Sequence, residues 1–243
     1  MSLLPIHKTG EATETKKKLK KKGENQEAEN VQISIHTTTQ VVTKRSNTAY
    51  RQLREIKGIK EPWEVLEDKL KDINPDYIAW LQIENTPIDY PVVMESDRDY
   101  LITGFYGENS IAGTPFIRRA QNAFQDKNTV IFGHNMRDGT MFAALKNYLK
   151  SEYCKQYPTI TILNKGREYK YKLFSVQLLN EDDGSVFAYT FANDESYGEY
   201  LDLMIHKSLV QLTEQPGTDR NIITLSTCYG KDKRLVVQAF GEG

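Results

Sequence analysis

A cysteine, an arginine and a histidine stand in local sequences that suit nucleophilic catalysis. Cys228 follows a β-rich run that begins at Ile222 and ends in small polar residues. A thiol at the end of a strand can be reached by a substrate, and its thiolate is a strong nucleophile when a base or a positive charge lies nearby. Because a single cysteine is more often a small buried hydrophobic residue, the assignment of Cys228 as a nucleophile depends on its neighbours.

Arg234 is the nearest candidate neighbour in the chain. It begins a second β-rich run, and the short connection Gly230–Lys233 predicts an antiparallel hairpin. Alternation places Arg234, Val236 and Gln238 on one face of that strand. In such a hairpin Arg234 lies close to Cys228, where a guanidinium favours a thiolate and donates hydrogen bonds to a developing oxyanion. The alternative is an arginine at the edge of the sheet that pairs with a carboxylate.

His134 is the candidate proton carrier. It follows the apolar run Thr129–Phe132 and Gly133, at the end of a predicted strand. An imidazole takes up and releases protons near neutral pH. Of the other three histidines, two fall in the first 45 residues and His206 falls on the polar side of a predicted helix. His134 is therefore the histidine best placed for catalysis, although a structural role at a strand end is also open.

The composition bounds the class of protein. The chain has 243 residues, 39% hydrophobic and 27% charged, which suits one soluble domain of roughly 200 residues with an appended tail. Its net charge of −1 gives no overall field that favours nucleic acid, so we expect no nucleic-acid partner. A bridge between the only two cysteines, Cys154 and Cys228, would consume the candidate nucleophile. No convincing cluster of metal ligands stands out, and we expect no metal and no cofactor.

The chain divides into an arm and a catalytic domain. Residues 1–45 carry a lysine run and a Thr-rich stretch, which predicts a flexible basic arm. Residues 46–243 form the predicted domain, which opens with a helical pattern that ends at Asn74-Pro75. No segment approaches the roughly 20 apolar residues that span a bilayer, and no signal peptide is visible.

Strand-like runs dominate after Pro75. They are short, rich in β-branched and aromatic residues, and bounded by Gly, Pro, Asn or Asp. The predicted strands are Tyr77–Ile83, Ile88–Val93, Thr129–Phe132, Thr159–Leu163, Tyr169–Leu179, Asn221–Leu225 and Arg234–Phe240. One helix with an apolar stripe from Tyr197 to Leu209 lies in the connection that leads to Cys228. Seven or eight short strands with few long helices predict a closed barrel or a sandwich.

Together these stretches resemble the sortase family of cysteine transpeptidases. Thr224-Leu225-Ser226-Thr227-Cys228 matches the family pattern T-L-x-T-C, Gly133-His134-Asn135 resembles the segment that bears the family histidine, and Arg234 matches the family arginine in the same order. The similarity runs from about residue 50 to the C-terminus. Class B is the subfamily most resembled, because a pair of N-terminal helices and a helix before the cysteine strand are predicted.

The resemblance implies a fold and a reaction. The expected fold is mostly β, a closed seven- to eight-stranded sortase-like barrel. The expected reaction is cleavage of an LPxTG- or NPxTN-like sorting motif after Thr, with transfer of the acyl group from Cys228 to an amine of a wall precursor or a pilin lysine. Ser226 and Thr227 are candidate substrate contacts, beside His134 and Arg234 in catalysis. The expected location is the extracellular face of the membrane of a Gram-positive bacterium, held by an anchor that this chain does not include.

Two other functions remain open from the sequence. A cysteine peptidase would use the same three residues but give the acyl group to water. A non-catalytic surface domain would use the barrel and the lysine-rich arm for adhesion.

Overall fold

Eight strands close into a barrel in the computed structural model, which describes residues 62–242. In chain order the strands are β1 (Tyr77–Gln82), β2 (Asp89–Met94), β3 (Phe116–Ile117), β4 (Asn128–Phe132), β5 (Thr159–Asn164), β6 (Arg167–Asn180), β7 (Ile222–Tyr229) and β8 (Lys233–Gly241). Their order around the barrel is β1-β2-β3-β4-β7-β8-β6-β5. The pairs β2–β3 and β4–β7 are parallel, and the other neighbouring pairs are antiparallel. The predicted closed barrel is confirmed.

Within the described residues, three α-helices and two 3-10 helices surround the strands. The α-helices are α1 (Pro62–Ile73), α2 (Ser151–Gln156) and α3 (Asp194–His206), and the 3-10 helices are Phe142–Leu149 and Ser185–Phe187. The helix predicted before the cysteine strand is therefore confirmed as α3. The predicted arm, and the first of the two predicted N-terminal helices, lie outside the described residues.

Alternation along β8 separates two apolar layers. Leu235, Val237 and Ala239 face the barrel interior, where the main core lies. Val236 and Phe240 face outward and pack in a second cluster with the apolar side of α3. The predicted division of β8 into two faces is confirmed. Because α3 covers the outer face of β8, the connection between β6 and β7 lies against the outside of the barrel.

A buried polar network fixes that connection. The Asn128 side chain donates to the carbonyl oxygen of Ala188 at 2.8 Å and accepts from the Thr224 hydroxyl at 2.8 Å. The Tyr200 hydroxyl donates to the carbonyl oxygen of Val186 at 2.8 Å and accepts from the Gln238 amide at 3.0 Å. Since buried polar groups without partners are costly, these bonds hold the segment around residues 185–188 in one position on the barrel.

The structure corrects three details of the predicted elements. β7 runs to Tyr229 rather than ending at Leu225, because its small polar residues continue to pair with β8. The two-residue strand β3 carries no periodic pattern and was not predicted. Leu209, expected on the packed stripe of the helix, is 60% exposed because α3 ends at His206. Within residues 62–242, no helix combines the length and the apolar character that a membrane crossing requires.

Candidate active site

Cys228 and Arg234 face each other across the β7–β8 hairpin. The ladder pairs Cys228 with Arg234, and the turn between the strands contains only Gly230, Lys231 and Asp232. Side chains of directly opposite residues lie on the same face, with Cβ atoms about 4.5–5.5 Å apart. Cys228 is exposed and its thiol is free. The predicted hairpin therefore brings a guanidinium to an accessible thiol on the outer face of the barrel.

The guanidinium of Arg234 contacts three residues and retains an N–H donor without a hydrogen-bond partner among the described residues. Its Nη1 lies 3.4 Å from the Ser226 hydroxyl oxygen, and its Nη2 lies 3.9 Å from a carboxylate oxygen of Glu181. The guanidinium carbon lies 5.8 Å from the centre of the Phe187 ring. Its Nε has no hydrogen-bond partner among the described residues. The long carboxylate contact leaves the guanidinium able to accept a new negatively charged partner.

His134 lies at the end of β4, held by a neighbouring loop. Its Nε2 is 2.8 Å from the carbonyl oxygen of Leu101. A carbonyl oxygen only accepts hydrogen bonds, so the ring donates from Nε2. The other ring nitrogen, Nδ1, takes no part in this contact and is the nitrogen at which the ring can exchange a proton.

The loop that presents Leu101 is anchored at the start of β1. The Tyr100 hydroxyl lies 2.6 Å from a carboxylate oxygen of Asp76, and the Asn74 side chain donates to the carbonyl oxygen of Phe105 at 2.9 Å. Both anchors belong to the Asn74-Pro75-Asp76 segment that follows α1. This segment therefore fixes the partner of His134 from a distant part of the chain.

Asn135 joins the histidine segment to the cysteine strand. Its side-chain amide donates to the carbonyl oxygen of Cys228 at 2.8 Å. Two residues earlier, the amide of Gly133 donates to the carbonyl oxygen of Ser226 at 3.1 Å, which extends the β4–β7 ladder. Gly133 has no room for a side chain, because a Cβ there would lie 2.8 Å from the ring of Phe142. These contacts place the backbones that carry His134 and Cys228 side by side.

The two predicted substrate contacts lie on opposite faces of β7. Ser226 shares the outer face with Cys228 and contacts Arg234, although its side chain is only 1% exposed. Thr227 points toward the barrel interior, is only 1% exposed, and its hydroxyl has no partner among the described residues. The structure brings Ser226 to the candidate nucleophile and does not bring the Thr227 side chain there.

An aromatic surface continues the site along the outer face. Phe132 stacks on Phe116 with ring centres 5.6 Å apart and lies 5.5 Å from Phe187. Phe187 in turn contacts Arg234. Phe116 is buried, so Phe132 and Phe187 supply the accessible part of this aromatic surface.

The second cysteine has a different environment. Cys154 is fully buried, and its thiol donates to the carbonyl oxygen of Tyr148 at 3.0 Å. Burial raises the pKa of Cys154 to about 11. Both cysteines are free, so no bridge consumes Cys228.

A cavity of about 930 Å³ lies away from these residues. It is lined by Glu67 and Lys71 of α1, by Asn221 before β7 and by Gly241 at the end of β8. Those positions mark the barrel end opposite to Cys228. The candidate active site is therefore an open outer face at the other end. Among the described residues, no cluster of three His, Cys, Asp or Glu could hold a metal ion.

Comparisons with known proteins identify the family of the chain. A family model described as the sortase domain matches residues 81–241. Sortase B of Listeria monocytogenes is 35% identical over 186 residues, which span 71% of this chain and 74% of that protein. The X-ray structure of Clostridium perfringens sortase B has a TM-score of 0.70 and 36% identity, covering 73% of this chain and 100% of that one. A Staphylococcus aureus sortase B–substrate complex has a TM-score of 0.70 and 26% identity, covering 90% of this chain and 97% of that one.

The chain belongs to the sortase family, whose members are cysteine transpeptidases of the Gram-positive cell envelope. Sortase B of Listeria monocytogenes, of Staphylococcus aureus and of Clostridium perfringens each match over most of its length, and the chain is a class B sortase. The predicted family, its class and its transpeptidase activity are confirmed.

Proposed function

We propose that Cys228, His134 and Arg234 are the catalytic residues, and that they act on a sorting motif of the LPxTG or NPxTN kind. The observation that carries the proposal is the cross-strand pair of an exposed thiol and a guanidinium, with the histidine segment bonded to the same cysteine through Asn135. A substrate complex of the Staphylococcus aureus relative supports a peptide site on this barrel.

In the first half of the reaction the Cys228 thiolate attacks the carbonyl carbon of the motif Thr. A C–S bond forms and the carbonyl oxygen becomes an oxyanion, which accepts hydrogen bonds from Arg234. The C–N bond then breaks, and the leaving amine takes a proton from Nδ1 of His134. The products are a thioester on Cys228 and the released C-terminal part of the substrate.

In the second half an amine attacks the thioester carbonyl. His134 takes the proton of the incoming amine, a new amide C–N bond forms, and the C–S bond breaks to return the thiolate. The acceptor is an amine of a wall precursor or of a pilin lysine. The acyl donor is a surface protein or pilin that carries the motif, and the enzyme works at the extracellular face of the membrane.

Substrate contact falls to the outer face of β7. Ser226 lies on this face but is only 1% exposed, so it contributes to peptide binding through Arg234, whose guanidinium it contacts. Thr227 remains a prediction from the family motif, and its inward side chain favours an indirect effect through the strand backbone.

The test is a transfer assay with a sorting peptide and a small amine. A library of peptides that vary the motif identifies the preferred sequence, and mass spectrometry separates the ligated product from the hydrolysed one. A ligated product that is absent in Cys228→Ala supports the proposal. Hydrolysis alone, at saturating amine, favours the peptidase alternative, and equal activity in Cys228→Ala contradicts the assignment of the nucleophile.

A further inference from the structure

The loop that carries His134 returns on itself before the first 3-10 helix. We define the His134 loop as residues 134–141. It is closed by a hydrogen bond from the Phe142 amide to the His134 carbonyl oxygen, 2.8 Å long, and by a bridge between Asn135 and Met141. The position of Met141 is therefore coupled to the position of His134.

Met141 has an unusual backbone conformation. Its φ is 53° and its ψ is −129°. The Ala143 amide donates to the Thr140 carbonyl oxygen at 3.2 Å, which makes residues 140–143 a turn with Met141 at its first central position. These angles are those of a type II′ turn, where glycine is strongly preferred because it has no Cβ. A methionine stays in this conformation only where its surroundings hold it.

Tyr90, from another part of the barrel, stabilises the Met141 turn. Its hydroxyl oxygen accepts a hydrogen bond of 2.9 Å from the Met141 amide. Tyr90 lies in β2, pairs with Leu81 of β1, and packs partly buried against the main core. Its ring is therefore fixed by the barrel and not by the loop that it contacts.

Two further side-chain hydrogen bonds lie within the His134 loop. Asp138 accepts hydrogen bonds from the amide and the hydroxyl of Thr140, at 3.0 Å and 2.7 Å. Both residues belong to the His134 loop, so these bonds shape the loop without fixing it to the barrel. Asn135, by contrast, fixes one side of the loop to Cys228. Tyr90 fixes the opposite side.

We propose that Tyr90 is a positioning residue for His134, which it holds by securing the strained Met141 turn against β2. The inference rests on the proposed function, in which His134 transfers the proton. Without the phenolic oxygen, the Met141 amide loses its acceptor, the turn relaxes, and the imidazole leaves the position from which it serves the leaving amine. Substrate binding beside Ser226 and Arg234 does not involve this turn.

The experiment compares Tyr90→Phe with a matched tyrosine. Tyr197 also makes a hydroxyl bond to the backbone, donating to the Arg220 carbonyl oxygen at 2.8 Å near the start of β7, so Tyr197→Phe is the control. We expect Tyr90→Phe to lower kcat about five- to tenfold, the effect of one lost hydrogen bond, with KM for the peptide within about twofold of the parent. In Tyr197→Phe we expect kcat to be unchanged.

Rescue by glycine and an NMR signature complete the test. Met141→Gly removes the strain, so the double variant Tyr90→Phe/Met141→Gly should recover most of the lost kcat. The NMR signals of the His134 ring should shift in Tyr90→Phe and not in Tyr197→Phe. This shift can be measured even if the protein has no activity. Unmoved His134 signals, or a loss that Met141→Gly does not reverse, overturn the proposal. If the His134 ring signals shift in Tyr90→Phe but kcat does not change, Tyr90 is still a positioning residue. That result would instead contradict the proton-transfer role of His134.

Discussion

The side-chain amide of Asn135 donates a hydrogen bond of 2.8 Å to the carbonyl oxygen of Cys228. The residue that follows the candidate proton carrier therefore holds the backbone of the candidate nucleophile. β4 and β7 are parallel neighbours, and their ladder reaches Phe132 and Ser226. Asn135 continues the connection beyond the last regular pair, at the point where the two catalytic side chains must be set at a fixed separation.

Removal of this bond should reduce the rate without unfolding the protein. We expect Asn135→Ala to lower kcat about three- to tenfold, since one hydrogen bond contributes about 0.5–1.5 kcal/mol. Asn135→Asp should be slower still, because a carboxylate cannot donate and repels the carbonyl oxygen. Steady-state kinetics with a sorting peptide measure both variants.

The control is another asparagine with a defined structural role. Asn193 caps α3, accepting a hydrogen bond from the Ser196 amide at 2.9 Å. Asn193→Ala should cost about 1 kcal/mol of stability and leave kcat unchanged well below the melting temperature. A rate for Asn135→Asp equal to that of the parent enzyme would show that the contact has no role in positioning.

The two cysteines should differ in reactivity by orders of magnitude. Burial raises the pKa of Cys154 to about 11, so at pH 8 only about one thiol in a thousand is ionised, and its site is closed to reagent. Because the folded pKa is raised, the protonated state is favoured at all pH values below about 11. We expect iodoacetamide at pH 8 to label Cys228 alone, and to label nothing in Cys228→Ala.

Mass spectrometry of peptides identifies the modified thiol. Cys154→Ala should be labelled at the parent rate, and both cysteines should react in denaturant. Equal labelling of Cys154 and Cys228 in the folded protein would falsify the difference in environment.

Local patterns predicted the parts of the site that lie on paired strands. Alternation along β8 correctly predicted that Val236 and Leu235 lie on opposite faces of the strand. The short turn correctly predicted that Arg234 lies opposite Cys228. Both inferences work because a strand repeats every two residues and a short connection forces its strands to pair. The helix before the cysteine strand was predicted from a different periodicity, an apolar stripe sustained at helical spacing.

The contacts that hold His134 could not be predicted in this way. Leu101 is 33 residues from His134 and offers only its backbone carbonyl, so its identity carries no signal of the role. Tyr90 is 51 residues from Met141, and its hydroxyl bonds an amide that any residue there would have except proline. Such contacts are set by the closure of the barrel, and no single segment of the sequence encodes that closure.

Replacement of Arg234 by lysine should be strongly deleterious. The guanidinium lies across from Cys228, and its planar fork can donate to an oxyanion while it keeps its contacts with Ser226 and Phe187. Lysine keeps the charge but lacks the fork. We expect Arg234→Lys to lower kcat/KM about a hundredfold, the usual scale for loss of an oxyanion donor.

Arg119 provides the matched control for this substitution. It is exposed and pairs with Asp97 at 3.0 Å. Arg119→Lys should leave kcat/KM within about twofold of the parent, since exposed ion pairs contribute little. If Arg234→Lys behaves like Arg119→Lys, charge alone is sufficient and the oxyanion role in the proposed mechanism is wrong.

Gly133 should tolerate no side chain. A Cβ at this position would lie 2.8 Å from the ring of Phe142, which is fully buried and cannot move aside without disturbing the core. Overpacking of this kind costs about 1–3 kcal/mol, and about 2–4 °C of melting temperature per kcal/mol is expected for a domain of this size. Gly133→Ala should therefore melt several degrees lower, and it should also lose activity because His134 is the next residue.

Gly184 provides the control, because nothing lies within 4 Å of a Cβ added there. Gly184→Ala should therefore melt at the parent temperature. Equal melting temperatures for the two variants would mean that Phe142 can yield, and that the close approach of its ring does not set the position of the His134 backbone.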